Sequence, residues 1–595
     1  MKLLRFARRS LSIALSIACL SVFLSGCADG SGDAPKATPE KTPDPSIFYP
    51  KEEELKVTPD KNKYLDVTVL EEGYDIYAPA AASDWGYRYG PSLMTYADGS
   101  MDAWFAAPGT DGEWDWITYR HYDPESKQWS DEIAVLHPTP DSMDWLSCCD
   151  PGVTYFNGYY YLGYTSTIDD TYTGVRNNVF VARSKNPDGP YEKWNGSGWG
   201  GNPQPIIYFD ETADRFGAGE PSFVERDGTL YIYYTWSSRN SGGTAIRQTR
   251  VATADAASEN WPATIEYQGV AITNKSDSND SADVKYIEDY GKFIAICTDN
   301  RFAANSMVCV YESNDGIAFQ RVNELKSNLI YKCHNAGISS RPNGHIRISD
   351  DIYLGYAYGD TWGCWGTRIH KVQIGLSDEI NMSDSKNKSI PQDVVKWDLS
   401  DRELWTVGIT AIPHYFKKNV SSGPFDLALF WQDTLFEKHQ ITDAKAVTFS
   451  GYDSSLVKIS DFSVTPLKAG ETVITATYDG RSIDIPIKIY EDSVQLNQTD
   501  PALTSFTPMK ETYTLSLSAK DAKQVRGMAV YADTTWNEVY RGADGVAYSG
   551  YDDQLIRVDA NGLVQPRSRK GSEGSTQITV SYKDKSFTVT INIVA

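Results

Sequence analysis

Most of this chain is a series of short apolar runs separated by polar turns, and no long apolar stripe of period 3.6 appears, so the pattern predicts strands and not helices. The runs are dense in Tyr, Ile, Val and Phe and are cut by DG, NG and PNG turns, the chemistry of tight hairpins. Between residues 62 and 400 the hairpins share one phrase. It reads "GPSLMTYADGSMDAWFA" from Gly90, "DPGVTYFNGYYYLGYT" from Asp150, "EPSFVERDGTLYIYYT" from Glu220 and "DVKYIEDYGKFIAIC" from Asp283. The lead residues are 60, 70 and 63 positions apart, and the steps from lead to turn glycine (Gly99, Gly158, Gly228, Gly291) are 9, 8, 8 and 8. In a fifth copy, "HNAGISSRPNGHIRI", Asn335 precedes Gly344 by nine. Repeats of this length imply blades around an axis. The expected fold class is all-β, with a five-bladed propeller over 62–400.

A second repeat follows. "SGYDSSLVKIS" at 450 is answered by "SGYDDQLIRVD" at 549, and "TVITATYDGRSIDIPIKI" by "TQITVSYKDKSFTVTINI". The offset suits two tandem β-sandwiches, expected over 401–491 and 492–595. Both resemble bacterial Ig-like domains of group 2.

The first segment changes the picture of where the chain resides. Lys2, Arg5, Arg8 and Arg9 precede the 14-residue apolar run "LSIALSIACLSVFL", which is short for a membrane span and reads as an export signal. It ends in "LSGC", Leu24 to Cys27, similar to the lipobox of bacterial lipoproteins. That resemblance implies a signal over 1–26, lipid on Cys27, and a chain exported and anchored at the cell surface. Residues 27–61 are then a flexible linker rich in Pro, Lys, Asp and Thr. Cleavage removes four basic and no acidic residues, moving the net charge from −23 to −27. So acidic a chain is a poor partner for nucleic acid, whose binding rests on Lys and Arg. The expectation is a monomer that meets the membrane only through its lipid.

Eight cysteines include Cys19 in the signal and Cys27 at the lipid site. The remaining six, in an oxidising compartment, are disulfide candidates: Cys297 with Cys309, Cys333 with Cys364, and Cys148 with its neighbour Cys149.

In a propeller the innermost strands surround a channel, so the lead residues of successive blades converge. Asp150, Glu220 and Asp283 are thereby expected at one mouth, where crowding splits carboxylate pKa values. Two such carboxyls are what glycoside hydrolysis needs. At "DPGVTYFNGYYYLGYTS", "VFVARSKNPDGPYEKW" and "GAGEPSFVERDGTLYIYYTW" the chain resembles the five-bladed propellers of glycoside hydrolase family 43. The resemblance implies arabinan- or xylan-type substrates and inversion by three acids: a base Asp in blade one, a pKa-tuning Asp in blade three and an acid Glu in blade four. This sequence departs from that set. Gly90 leads blade one, Glu220 blade three, and around the blade-four lead stand Ser281, Ala282 and Asp283. Either the register is shifted, with Asp150 as base and Glu220 as acid, or the set is rebuilt, with Asp84 as a loop base, or catalysis is lost.

His334 resembles the blade-five histidine that in this family lies near a bound ion, which implies Ca²⁺ or another ion in the channel; no other cofactor is implied. Trp85, Tyr89, Trp145 and Trp236, with Trp199 and Trp362, are candidates for stacking on sugar rings. No zinc-spaced cluster, phosphate loop or nucleophile elbow occurs. "ESNDGIAF" hints at a sialidase, but no arginine triad accompanies it. Two readings remain: a surface-anchored glycoside hydrolase of pentose-containing glycans, or a non-catalytic glycan-binding protein that keeps the propeller without its base.

Overall fold

The computed structural model describes residues 48–49, 55–77, 86–109, 113–168, 174–240, 242–273, 275, 279–330, 332–360, 362–382, 404–409, 416–433, 438–518, 521–568 and 571–595. Cys27, Asp84 and Trp85 lie outside these. Among the described residues the only helical pieces are 3-10 turns of three or four residues.

Five blades form the propeller. Blade I holds Tyr89–Thr95, Met101–Pro108 and Asp115–Asp123, edged by Gln128–Trp129 and Ile133–Leu136. Blade II holds Cys149–Phe156, Tyr159–Thr167 and Gly174–Ser184, edged by Glu192–Lys193. Blade III is Thr212–Arg226, Thr229–Arg239, Ala245–Asp255 and Glu266–Ile272, and blade IV is Ala282–Ile287, Lys292–Asp299, Met307–Ser313 and Gln320–Leu325. Blade V takes His334–Ile338, Ile352–Tyr358 and Gly366–Ser377. Its outer strand is Tyr64–Tyr77, from the other end of the propeller. Backbone hydrogen bonds thus close the ring.

Four inner strands enter by the same bulge, one extra residue between Tyr89 and Ser92, Cys149 and Gly152, Gly219 and Ser222, and His334 and Gly337. The bulged lead residue is left-handed each time: φ is 62° at Gly90, 52° at Asp150, 54° at Glu220 and 44° at Asn335. Two residues on, three blades send a side chain to the neighbouring inner strand. Ser92 Oγ accepts from Val153 N at 3.0 Å, Ser222 Oγ from Val284 N at 2.9 Å, and Asp283 Oδ2 from Ile338 N at 2.8 Å. Asp283 therefore occupies the place of Ser92 and Ser222, and the lead of blade IV is Ser281. Turn length explains the displacement from the expected register. The blade IV hairpin closes at Ile287 and Lys292, with four residues in its turn, whereas Phe156–Tyr159 and Arg226–Thr229 enclose two.

Near the axis the strands meet backbone to backbone. A Cβ on Gly152 would lie 2.0 Å from Pro221 O, and one on Gly337 would lie 2.2 Å from Pro91 O. This close approach draws the lead residues around one narrow mouth.

Beyond the propeller, the strands from Leu404–Ile409 to Arg481–Tyr490 build one four-stranded and two three-stranded sheets. Those from Leu503–Pro508 to Lys585–Val594 repeat that order strand for strand. Period-two burial makes them sandwiches: Ile483, Ile485, Ile487 and Ile489 are buried in alternation. The second unit is bolted to the propeller by buried charge. Asp210 receives Lys510 Nζ at 2.6 Å and Lys523 Nζ at 3.0 Å, and Glu211 receives Lys523 Nζ at 2.9 Å. Arg526 donates to the carbonyls of Phe209 and Glu211 at 2.8 and 2.9 Å, and Arg176 pairs with Glu538 at 2.5 Å. Met528 and Trp536 enter the apolar core of blades I and II.

The expected disulfides are not formed: Cys148, Cys149, Cys297, Cys309, Cys333 and Cys364 are thiols. Cys297 and Cys309 are direct cross-strand partners. Such partners stand about 4.5–5.5 Å apart at Cβ, wider than the roughly 3.8 Å a disulfide prefers. Cys148 and Cys149 turn to different partners, Cys148 towards Lys193 and Asp144 and Cys149 towards Asp150.

Candidate active site

At the mouth of the channel a pocket of about 30 Å³ is lined by the lead residues Gly90, Asp150, Glu220, Ser281 and Asn335 and by the residues that follow them, Asp283 among these. About 10–15 Å³ suffices for one water, so the floor holds roughly two. Holding a side chain other than glycine in the left-handed region costs about 1–3 kcal/mol, and such positions gather at functional sites. Glu220, with its long side chain, is the most unusual of the four.

Thr165 joins the two carboxyls of blades II and III. Its Oγ1 accepts from Glu220 N at 2.7 Å, and its hydroxyl hydrogen-bonds the Asp150 carboxyl. Cys149 Sγ also donates to Asp150 Oδ2 at 3.4 Å. Glu220 Oε2 accepts from Thr235 Oγ1 at 2.5 Å, and Lys275 Nζ lies 3.5 Å from the same Thr235 oxygen. Asp150 and Glu220 are both buried. Burial, then the charge of Glu220, then that of Asp115, push Asp150 well above the ordinary carboxylate range. Burial and the charge of Asp280 lift Glu220 to about 7, against the pull of Lys275, Thr235 and Arg301. Glu220 thus has one carboxylate, Asp280, and two cations acting on it, whereas Asp150 has two carboxylates, Glu220 and Asp115.

Two acids of this cluster were not anticipated from sequence. Asp280 precedes Ser281 and is buried. Burial would raise it, but Arg301, His334 and the Asn335 N–H outweigh that and hold it below its usual value. Arg301 Nη1 donates to Asp280 Oδ1 at 2.9 Å, and Asn335 N donates to Oδ2 at 2.9 Å. Asp115 hangs from Tyr87 OH at 2.6 Å and Ser147 Oγ at 2.9 Å, and burial lifts it to about 6. Neither belongs to the repeated phrase, so the hairpin pattern carries no sign of them.

The other candidates divide. Asp283 lines the pocket, but both oxygens are committed, Oδ1 to Ser222 Oγ (2.8 Å) and Lys285 Nζ (2.5 Å) and Oδ2 to Ile338 N. It ties blades together. His334 is buried; burial, first, brings it down to about 4, so it is neutral. Its Nδ1–H donates to Asn335 Oδ1 at 2.8 Å, leaving Nε2 buried without a partner. Rings of Tyr89, Phe302 and Trp365 enclose it. A single nitrogen among aromatic rings does not suit Ca²⁺, which takes six to eight oxygens. No group of three His, Cys, Asp or Glu side chains placed to hold a metal occurs among the described residues. Tyr89 stands beside the pocket, and Trp145 is half-buried with Nε1 3.3 Å from Ile168 O. Trp236 cannot meet a sugar. It is buried beneath the second sandwich, donating to Glu211 Oε2 at 3.0 Å. Trp199 packs on Trp194 and Tyr161 in the blade II core.

No protein-family model matches the chain, and no curated protein matches it. Solved structures with a similar course include Zg3597, a family 117 glycoside hydrolase of the marine bacterium Zobellia galactanivorans. It is 14% identical with a TM-score of 0.38, over 52% of this chain and 90% of that one. The α-L-arabinofuranosidase PaAbf62A of Podospora anserina is 10% identical with a TM-score of 0.37, over 50% and 95%. A GH43_1 enzyme of Xanthomonas citri complexed with xylose is 13% identical with a TM-score of 0.34, over 54% and 96%. At these values nothing about the site rests on them.

Proposed function

We propose that this protein is a glycoside hydrolase acting on pentose-containing glycans of the arabinan or xylan type, and that Asp150 and Glu220 are its acid and base. One observation carries the reading: two buried carboxyls, both pushed above the ordinary carboxylate range and set in different surroundings, line a pocket with room for water. A pair whose environments differ in this way supplies one proton donor and one proton acceptor. Lys275 and Arg301 favour the charged form of Glu220, while Asp115 and Glu220 itself favour the protonated form of Asp150. The roles are then Asp150 as acid on the leaving oxygen and Glu220 as base on a water, the reverse of the shifted register considered from sequence. With water as nucleophile the product inverts. Asp280 holds Arg301 and keeps negative charge near Glu220. The chain is anchored outside the cell through lipid on Cys27, and residues 401–491 and 492–595 are its two Ig-like units.

The test is release of reducing sugar from a panel of arabino- and xylo-oligosaccharides. Acid–base groups contribute about 10²- to 10⁴-fold, and Glu220→Gln is expected to lose turnover on that scale. Absence of release from every substrate removes the proposal. Gly90 favours the second reading, a glycan-binding protein without catalysis. The blade-one lead has no carboxyl, and a Cβ there would meet nothing closer than 3.9 Å.

A further inference from the structure

The rim of the pocket on the side of blades IV and V carries an aromatic group that folding alone does not require. Trp362 is 67% exposed, although its ring packs at 80° against Trp365, 4.9 Å between centroids, and 5.2 Å from Phe302. Phe302 lies nearly parallel to Trp365 at 5.5 Å and touches His334 at 4.5 Å. Trp365 continues to Tyr89, the neighbour of pocket-lining Gly90. Ring contacts therefore lead from solvent-exposed Trp362, through buried Trp365, to the residue next to the pocket lining.

Backbone strain marks the same rim. Asn300, Phe302 and Lys332 have φ of 52°, 64° and 63°. For a ring as bulky as Phe302 the left-handed region is a true outlier, and the cost must be met by surrounding contacts. Arg301, between Asn300 and Phe302, links platform to pocket. Its guanidinium lies 5.3 Å over the Phe302 ring, and Nη1 holds Asp280. The side chain is 36% exposed, and a guanidinium has five N–H donors, so donors remain to face the mouth.

We propose that Trp362, backed by Phe302 and Trp365, is a second sugar subsite, with Arg301 donating to hydroxyls between it and the pocket. It takes the neutral pyranose or furanose unit adjoining the one held over Asp150 and Glu220. A flat exposed indole suits the C–H face of such a ring. The substrate is accordingly an oligosaccharide of at least two units, and recognition of the second unit is a property of blades IV and V. The inference rests on the glycan reading above but not on hydrolysis.

Calorimetric titration with arabino- and xylo-oligosaccharides of one to five units tests it, using the full chain, Trp362→Ala and Trp362→Phe. A stacking contact of about 0.5–1.5 kcal/mol corresponds to roughly a 2- to 13-fold change in affinity. Affinity of the natural protein is expected to rise between one and two units, to fall by about that factor in Trp362→Ala, and to return in Trp362→Phe. The monosaccharide is expected to bind all three proteins alike. Binding with no hydrolysis upholds the subsite and sinks the hydrolase. Hydrolysis of oligosaccharides by a protein whose Trp362→Ala form binds them unchanged does the reverse. Failure to bind any of these sugars overturns both.

Discussion

Replacing Glu220 by Gln is expected to stabilise the protein at pH 8 and to leave its stability at pH 4 nearly unchanged. Glu220 titrates at about 7 in the folded chain against an ordinary 4.5. Its folded pKa is raised, so the folded state binds more protons than the unfolded state between those values. Stability therefore falls as pH rises through that window. The gap at 1.36 kcal/mol per pH unit is worth about 3 kcal/mol above pH 7 and nothing below pH 4. Gln keeps the shape and can still accept from Thr235 Oγ1, but it never ionises, so the substitution abolishes this penalty. Removing the Glu220 charge also relieves Asp150, which adds in the same direction. For a chain of 595 residues, 3 kcal/mol is on the order of 2–3 °C in Tm. The assay is thermal unfolding of both proteins at pH 4 and pH 8. An equal difference at both pH values, or a variant less stable at pH 8, would refute the claim that Glu220 is held against its ionisation.

Three further outcomes follow from the same structure. Asp283→Asn should cost about 2–4 kcal/mol, since Lys285 and two inter-blade donors lose a charged acceptor, while the folded fraction keeps its turnover; parallel unfolding and rate measurements separate the two. Lys523→Ala leaves Asp210 and Glu211 short of a cation in a buried contact, a loss of about 3–5 kcal/mol, and limited proteolysis should cut the second sandwich free sooner. Cys27→Ser should move the protein from the membrane to the soluble fraction; unchanged fractionation would defeat the lipid anchor.

Much of this site could be read from the chain because its geometry is written in repeats. The bulge that turns Gly90, Asp150, Glu220 and Asn335 into the mouth recurs at one place in each hairpin, directly before the close-packed positions Pro91, Pro151, Pro221 and Ala336. Blade IV escaped because counting back from its turn glycine assumes a two-residue turn, and its turn has four. Strand parity would have excluded Trp236: Thr235 reaches Glu220, so its neighbour must point to the opposite face. Asp280, Asp115 and Arg301 lie in loops or on other strands, where no periodicity links them to the mouth. Their roles come only from the closing of the ring.

The most direct measurement of the acid–base pair is kcat/KM against pH for the natural protein on its best oligosaccharide. The reactive form has Asp150 protonated and Glu220 ionised, so the rate should rise as pH increases through about 7. A rate that is greatest near pH 5 and falls through 7, or that does not respond to pH there, would contradict Glu220 as the base.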